Sequence, residues 1–130
     1  MSARDAERAA GLAATLAHDV GKYLARIARN VPPGGDVPPA LAAMLLADVF
    51  ETHAGRPALA RFDELAPDLA ALTHDARLDE VRALLTTAAT HERAARDGDP
   101  AALRALASLA LTVESTLRAL ARDLRAGARP

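Results

Sequence analysis

The sequence predicts an all-α protein: a single domain over residues 1–130 that folds as one up-and-down bundle of four to five helices. Alanine and leucine, both strong helix formers, supply most of the 51% of residues that are hydrophobic. Aromatic residues make up only 2% of the chain and β-branched residues are also scarce, which disfavours a sheet. Apolar residues recur at spacings of three and four, which is the period of a helix with one buried face.

The first predicted helix begins after Ser2, which forms a sequence resembling a capping box with Asp5, and it runs to about Val31. The run at residues 32–35, Pro-Pro-Gly-Gly, ends it, because proline cannot continue a helix and glycine favours a turn. Its predicted buried stripe consists of Leu12, Leu16, Val20, Leu24, Ile27 and Val31.

A second helix is predicted over residues 40–53, which are apolar nearly all round and are therefore expected at the centre of the bundle. The third segment, residues 57–73, contains Pro67. A kink or a restart of the helix is expected there, because proline lacks the backbone donor and crowds the preceding turn.

A fourth helix is predicted over residues 76–97, and its charged residues around His91 and Glu92 indicate an exposed face. Gly98-Asp99-Pro100 then separates it from the last helix, residues 100–126, by a glycine end, an acidic cap and a proline start. This last helix carries a strict three-four stripe, which predicts either bundle core or the seam of a homodimer. The stripe consists of Leu103, Leu106, Ala110, Val113, Leu117, Leu120 and Leu124.

The composition also excludes or disfavours several classes of function. The chain has no cysteine, which excludes disulfides, cysteine–zinc sites and thiol catalysis. A net charge of −1 and few aromatic residues disfavour nucleic-acid binding. No apolar run approaches the ~20 residues of a membrane helix, and the charged N-terminus is unlike a signal peptide. We therefore expect a cytoplasmic protein with no membrane partner, no cofactor and no bound metal.

Reactive side chains, a glycine and the helical stripe coincide at residues 16–27. On a helical wheel His18 points away from the stripe, so its imidazole is expected to be exposed. The residues predicted to share its side are small or cationic, namely Gly11, Ala14, Lys22, Ala25 and Arg29. Gly21 and the alanines are expected to let the backbone of another protein come close.

Such a surface suits a nucleophilic imidazole, because a histidine that accepts a phosphoryl group must be reachable by a partner. Lys22 and Arg29 are predicted to stabilise the spreading negative charge of the phosphoryl group. Asp19 is predicted to fix the imidazole tautomer or to assist proton transfer.

Residues 18–24, His-Asp-Val-Gly-Lys-Tyr-Leu, resemble the H-box of histidine-kinase dimerisation helices, with matches at His18, Asp19, Val20 and Leu24. No glycine-rich nucleotide boxes follow. The resemblance therefore implies a stand-alone histidine phosphotransfer protein of bacterial two-component signalling, which would present His18 to a response-regulator-like partner.

Residues 18–22, His-Asp-Val-Gly-Lys, are also similar to the central motif of HD-domain phosphohydrolases. That resemblance implies a helical site in which histidines and aspartates hold divalent metal ions that activate water. No histidine precedes His18, and the later pair His74-Asp75 lacks the following Gly-Lys. This alternative is therefore a degenerate relative of the HD-domain phosphohydrolases.

A third alternative is a non-enzymatic helical bundle that only binds other proteins. The remaining histidines, His53, His74 and His91, show no helical metal-site spacing of i and i+4. The three alternatives differ in what they require of His18 and Asp19. Phosphotransfer needs an exposed His18, metal-dependent hydrolysis needs both residues among other ligands, and an interaction bundle needs neither.

Overall fold

The computed structural model describes residues 2–29 and 58–128, together with positions 31, 38, 40, 41 and 44, and no strand occurs among them. The predicted all-α class is confirmed. The predicted helix at 40–53 lies almost entirely outside the described residues. The elements are α1 (Ala3–Leu16), a π-helical turn (Ala17–Gly21), α2 (Lys22–Arg29), α3 (Ala58–Leu72), α4 (Ala76–Arg96) and α5 (Pro100–Ala128).

The helix ends follow local chemistry as predicted. The Ser2 hydroxyl accepts a hydrogen bond from the amide of Asp5 at 3.1 Å, which caps α1. Gly98 adopts a φ of 97°, a left-handed conformation that closes α4 at little steric cost. The Asp99 carboxylate accepts from the amide of Ala101 at 3.0 Å and caps α5.

Helix α3 passes through Pro67 as one element, so the alternative of a restart at this proline is wrong. Pro67 lies on the exposed side of the helix, and so does Asp63, whose carbonyl loses its helical partner. Water can therefore take the place of the missing amide. On the opposite side, buried Phe62 and Leu69 hold the helix to the core.

The helices pack around one core, in which α5 lies against α1, the π turn, α2 and α4. Helix α3 closes the arrangement by packing against α1, the π turn and α4. Arg77 near the start of α4 bonds to Asp123 near the end of α5, as antiparallel neighbours would. None of the helices in the described ranges has the length and apolar character needed to cross a bilayer.

The predicted stripe of α5 is core within a single chain: six of its members are buried and Leu124 is partly buried. The buried side of α1, the π turn and α2 likewise contains the predicted Leu16, Val20, Leu24 and Ile27.

The predicted exposed face at His91 and Glu92 is wrong for Glu92, whose exposed fraction is 2%. The buried stripe of α4 runs Leu78, Val81, Leu85, Ala88, Glu92, Ala95, so Glu92 occupies a regular three-four position. Position on the helix therefore outweighs the polarity of the side chain, because α4 is packed against both α3 and α5.

Candidate functional site

The stretch around His18 departs from α-helical geometry. Residues Ala17–Gly21 form a π-helical turn, in which the amide of Lys22 donates to the carbonyl of Ala17, five residues earlier. Single π turns within α-helices are rare and frequently lie at functional sites. The turn also holds more residues per revolution than an α-helix, which reduces the angle between the consecutive side chains of His18 and Asp19.

Gly21 allows this turn to lie directly against α5. A Cβ added at Gly21 would lie 3.3 Å from the Cα of Glu114, and because that atom belongs to the backbone it cannot swing aside. Gly21 is thus buried within the chain, and the prediction that it admits another protein's backbone is wrong.

The π turn also changes which residues share the side of His18. An extra residue in one turn rotates everything that follows relative to an uninterrupted helical wheel. Ala25, predicted beside His18, is therefore fully buried in the core, and Tyr23 is buried as well. Gly11 stays exposed as predicted, with open space around it.

His18 and Asp19 are brought together as predicted. The Nδ1 atom of His18 lies 3.0 Å from Oδ1 of Asp19. The His18 side chain is 70% exposed, whereas that of Asp19 is 24% exposed. The pair thus presents an accessible imidazole on a partly buried carboxylate.

Arg61 of α3 completes the arrangement and was not predicted. Its Nε and Nη2 atoms donate to Oδ2 of Asp19 at 3.0 and 2.5 Å. Its Nη1 atom donates to Glu64 at 2.9 Å. A continuous chain of hydrogen bonds therefore runs from Glu64 through Arg61 and Asp19 to His18.

These contacts determine the charge of Asp19. Burial raises the pKa of its carboxyl, but the hydrogen bonds with His18 and Arg61 and their charges outweigh burial, so the pKa lies below its ordinary value of 3.8. The hydrogen bonds with Asp19 and Glu64 raise the pKa of Arg61. Asp19 is thus a carboxylate at neutral pH, which can only accept hydrogen bonds.

The two predicted cationic helpers are placed differently. Lys22 is exposed one residue after the π turn. The Nη2 atom of Arg29 lies 3.8 Å from Oε1 of Glu114, which Arg118 also approaches, at 3.1 Å. In this structure Arg29 is therefore directed to α5, where its charge is partly offset by Glu114.

The metal-dependent alternative requires several ligands at one point. Among the described residues, no three His, Asp or Glu side chains are grouped as a metal ion would need. Oδ2 of Asp19 is already occupied by Arg61. In the second His-Asp pair, Asp75 caps α4 and bonds to the Arg77 side chain, while His74 is exposed.

Arg61 is separated from Asp19 by 42 positions in the chain. Nothing in its neighbourhood distinguishes it from the other arginines on predicted helix surfaces, so only the packing of α3 against the π turn identifies it. Comparison of the chain with protein-family models, curated protein sequences and solved structures finds no match, and its function has to be inferred from the geometry around His18.

Proposed function

We propose that the chain is a histidine phosphotransfer protein, in which His18 accepts a phosphoryl group from one protein and passes it to another. The observation that supports this proposal is the exposed imidazole whose Nδ1 bonds to a carboxylate held by an arginine. Because ionised Asp19 can only accept, the neutral imidazole donates through Nδ1 and keeps its lone pair on Nε2.

In the proposed reaction, Nε2 of His18 attacks the phosphorus of an acyl phosphate on a response-regulator-like partner. The N–P bond forms as the bond from phosphorus to the acyl oxygen breaks, and the electron pair leaves with the partner's carboxylate. The imidazole ring then carries a positive charge and keeps its proton on Nδ1. The Asp19 carboxylate stabilises this charge. Return of the phosphoryl group to a second carboxylate reverses these steps.

Lys22 is the residue we assign to the charge on the transferred group, because it is exposed four positions after His18 in the chain and a lysine acts on phosphate as a point charge. A role for Arg29 stays a prediction that requires it to leave Glu114. The relay needs no cofactor, and we expect it to act in the cytoplasm without nucleic-acid or membrane partners.

A homodimer through residues 100–126 also stays a prediction. The leucine stripe of α5 is already covered within one chain, so such a dimer would use the outer face of this helix. That face carries Leu111, whose exposed fraction is 57%.

Phosphoramidate, a small donor that phosphorylates histidines, tests the proposal directly. We expect acid-labile phosphate on His18 of the wild-type protein and none in His18→Ala. His74→Ala is the matched control, because His74 is also exposed but lies outside the His18 turn. It should be labelled at His18 as the wild type is, with the labelled residue mapped under non-acidic conditions.

Absence of label from folded wild-type protein would contradict the relay. The two alternatives then make distinct predictions. A non-enzymatic interaction bundle should bind its partners equally well after His18→Ala and Asp19→Asn. A degenerate HD-type phosphohydrolase should bind divalent metal ions, and the same substitutions should abolish that binding.

A further inference from the structure

We infer that Arg61 is a positioning residue, which holds His18 in the tautomer that leaves Nε2 unprotonated. This inference deepens the proposed function and rests on it for its purpose, although the tautomer itself can be measured without any phosphate. It follows from the different partners of the two Asp19 carboxylate oxygens, since Oδ2 accepts from Arg61 and Oδ1 contacts His18.

Arg61 holds the Asp19 carboxylate from one side. Two N–H groups of the planar Arg61 guanidinium converge on Oδ2 of Asp19, which fixes the position of that oxygen. Only Oδ1 is left for His18. Without Arg61 the carboxylate could rotate about its side-chain bonds, since the other hydrogen bond it makes among the described residues is that with His18.

The Asp19 carboxylate in turn selects the tautomer of the His18 imidazole. A neutral histidine carries its proton on either ring nitrogen, and the partner of one nitrogen decides which. Oδ1 of Asp19 is an acceptor placed 3.0 Å from Nδ1, so Nδ1 must carry the proton. The lone pair then lies on Nε2 of a side chain that is 70% exposed.

Arg61 is itself held in place by contacts within α3. Its third nitrogen, Nη1, donates to Oε2 of Glu64, one turn further along α3, at 2.9 Å. Helix α3 packs against the π turn, and its buried Phe62 adjoins Arg61 in the sequence. The guanidinium is thereby anchored to the bundle, which gives the carboxylate a fixed support on an element distant in sequence.

Nitrogen NMR of ¹⁵N-histidine-labelled protein tests this inference, at a pH where the imidazole is neutral. In the wild type, we expect the His18 signals of a protonated Nδ1 and an unprotonated Nε2. In Arg61→Gln, we expect both signals to move towards the average of the two tautomers. Arg61→Lys, which keeps the charge but loses the two-pronged geometry, should lie between them.

Arg82→Gln is the matched control, because Arg82 also joins two helices through an aspartate, with its Nε 3.2 Å from Oδ1 of Asp63. It should leave the His18 signals unchanged. Circular dichroism identifies any variant that fails to fold. Unchanged His18 signals in folded Arg61→Gln, or a protonated Nε2 in the wild type, would overturn the inference.

Phosphorylation by phosphoramidate separates this inference from the proposed function. We expect Arg61→Gln to be labelled about tenfold more slowly, because it loses the charge-assisted hydrogen bonds with Asp19 that hold the imidazole in place. A fixed tautomer in a wild-type protein that takes no phosphate would refute only the relay. Labelling of a wild type whose tautomers are mixed would refute only the role of Arg61.

Discussion

At the scale of single residues, Glu92 carries a buried ionisable group whose state depends on pH. Burial raises the pKa of its carboxyl to about 7, although the amide of Ala58 and the charge of Arg96 favour the ionised form. Tyr23 lies close enough that burial and the charge of Glu92 raise the pKa of its hydroxyl. Neither carboxylate oxygen makes a hydrogen bond of ordinary geometry with the described residues.

This arrangement predicts how stability depends on pH. The folded state binds the Glu92 proton more tightly than the unfolded state, where the pKa has its ordinary value of 4.5. The stabilising contribution of this proton is therefore fully present below pH 4.5 and is lost as the pH rises to about 7 and beyond. Glu92→Gln removes that dependence. At pH 8 we expect this variant to exceed the wild type in free energy of unfolding by about 3 kcal/mol at most.

Urea denaturation of both proteins at pH 5 and pH 8 measures this difference, which should be small at the lower pH. Glu80→Gln on the exposed side of α4 serves as the control and should follow the wild type at both pH values. A constant difference between Glu92→Gln and the wild type across this range would contradict the prediction.

At the scale of elements, the π turn and α5 approach each other closely at a glycine. The space beside Gly21 ends at the backbone of Glu114, whereas Gly11 on α1 has nothing within 4 Å of an added Cβ. Both glycines lie in a helical segment, where alanine is intrinsically better than glycine by about 0.5–1 kcal/mol. The two positions therefore separate helix propensity from helix packing.

We expect opposite outcomes for the two substitutions. Gly11→Ala should raise the free energy of unfolding by about 0.5–1 kcal/mol, because the new methyl group meets no obstacle. Gly21→Ala should lower it by about 1 kcal/mol, because overpacking against a backbone outweighs the gain in propensity. Thermal unfolding of both variants checks this, and an equal gain at both positions would show that the contact with α5 is not tight.

At the scale of the whole molecule, α5 forms one side of the core along most of its length. Its buried leucines contact the helices on either side of it, so removal of one leaves a cavity bordered by several elements. We expect Leu117→Ala to lower the free energy of unfolding by about 2–5 kcal/mol. Urea denaturation measures this loss.

Leu111→Ala is the matched control on the same helix, because Leu111 is 57% exposed. Its effect on the free energy of unfolding should stay within about 0.5 kcal/mol. A large loss from Leu111→Ala would mean that its outer face is covered in solution, and sedimentation would then show whether a homodimer covers it.

Some features of the fold follow from few residues at a time, and these were predicted. The start of α1, the end of α4 and the start of α5 depend on Ser2, Gly98 and Asp99, whose side chains or backbone act within three or four positions. The buried stripes follow from spacing alone. The contact between His18 and Asp19 was also predicted, because the two residues are adjacent in the chain.

The features that were missed depend on how helices pack. The burial of Ala25 follows from a π turn that no residue pattern predicted. The burial of Glu92 was not predicted either, because its charge indicated an exposed face. Arg61 could not have been chosen among the arginines, because its role depends on which face of α3 meets the π turn.

The sequence by itself therefore determined the helical class, the helix limits it encodes locally and the accessible His18 with its neighbouring carboxylate. Only the tertiary structure decided that Asp19 is held from the other side by Arg61, 42 positions away, and that Arg29 is directed to Glu114. The physical reason is the range of the interactions. Caps and spacing act within one or two turns of a helix, whereas the charge and orientation of a side chain are set by whichever helix packs beside it.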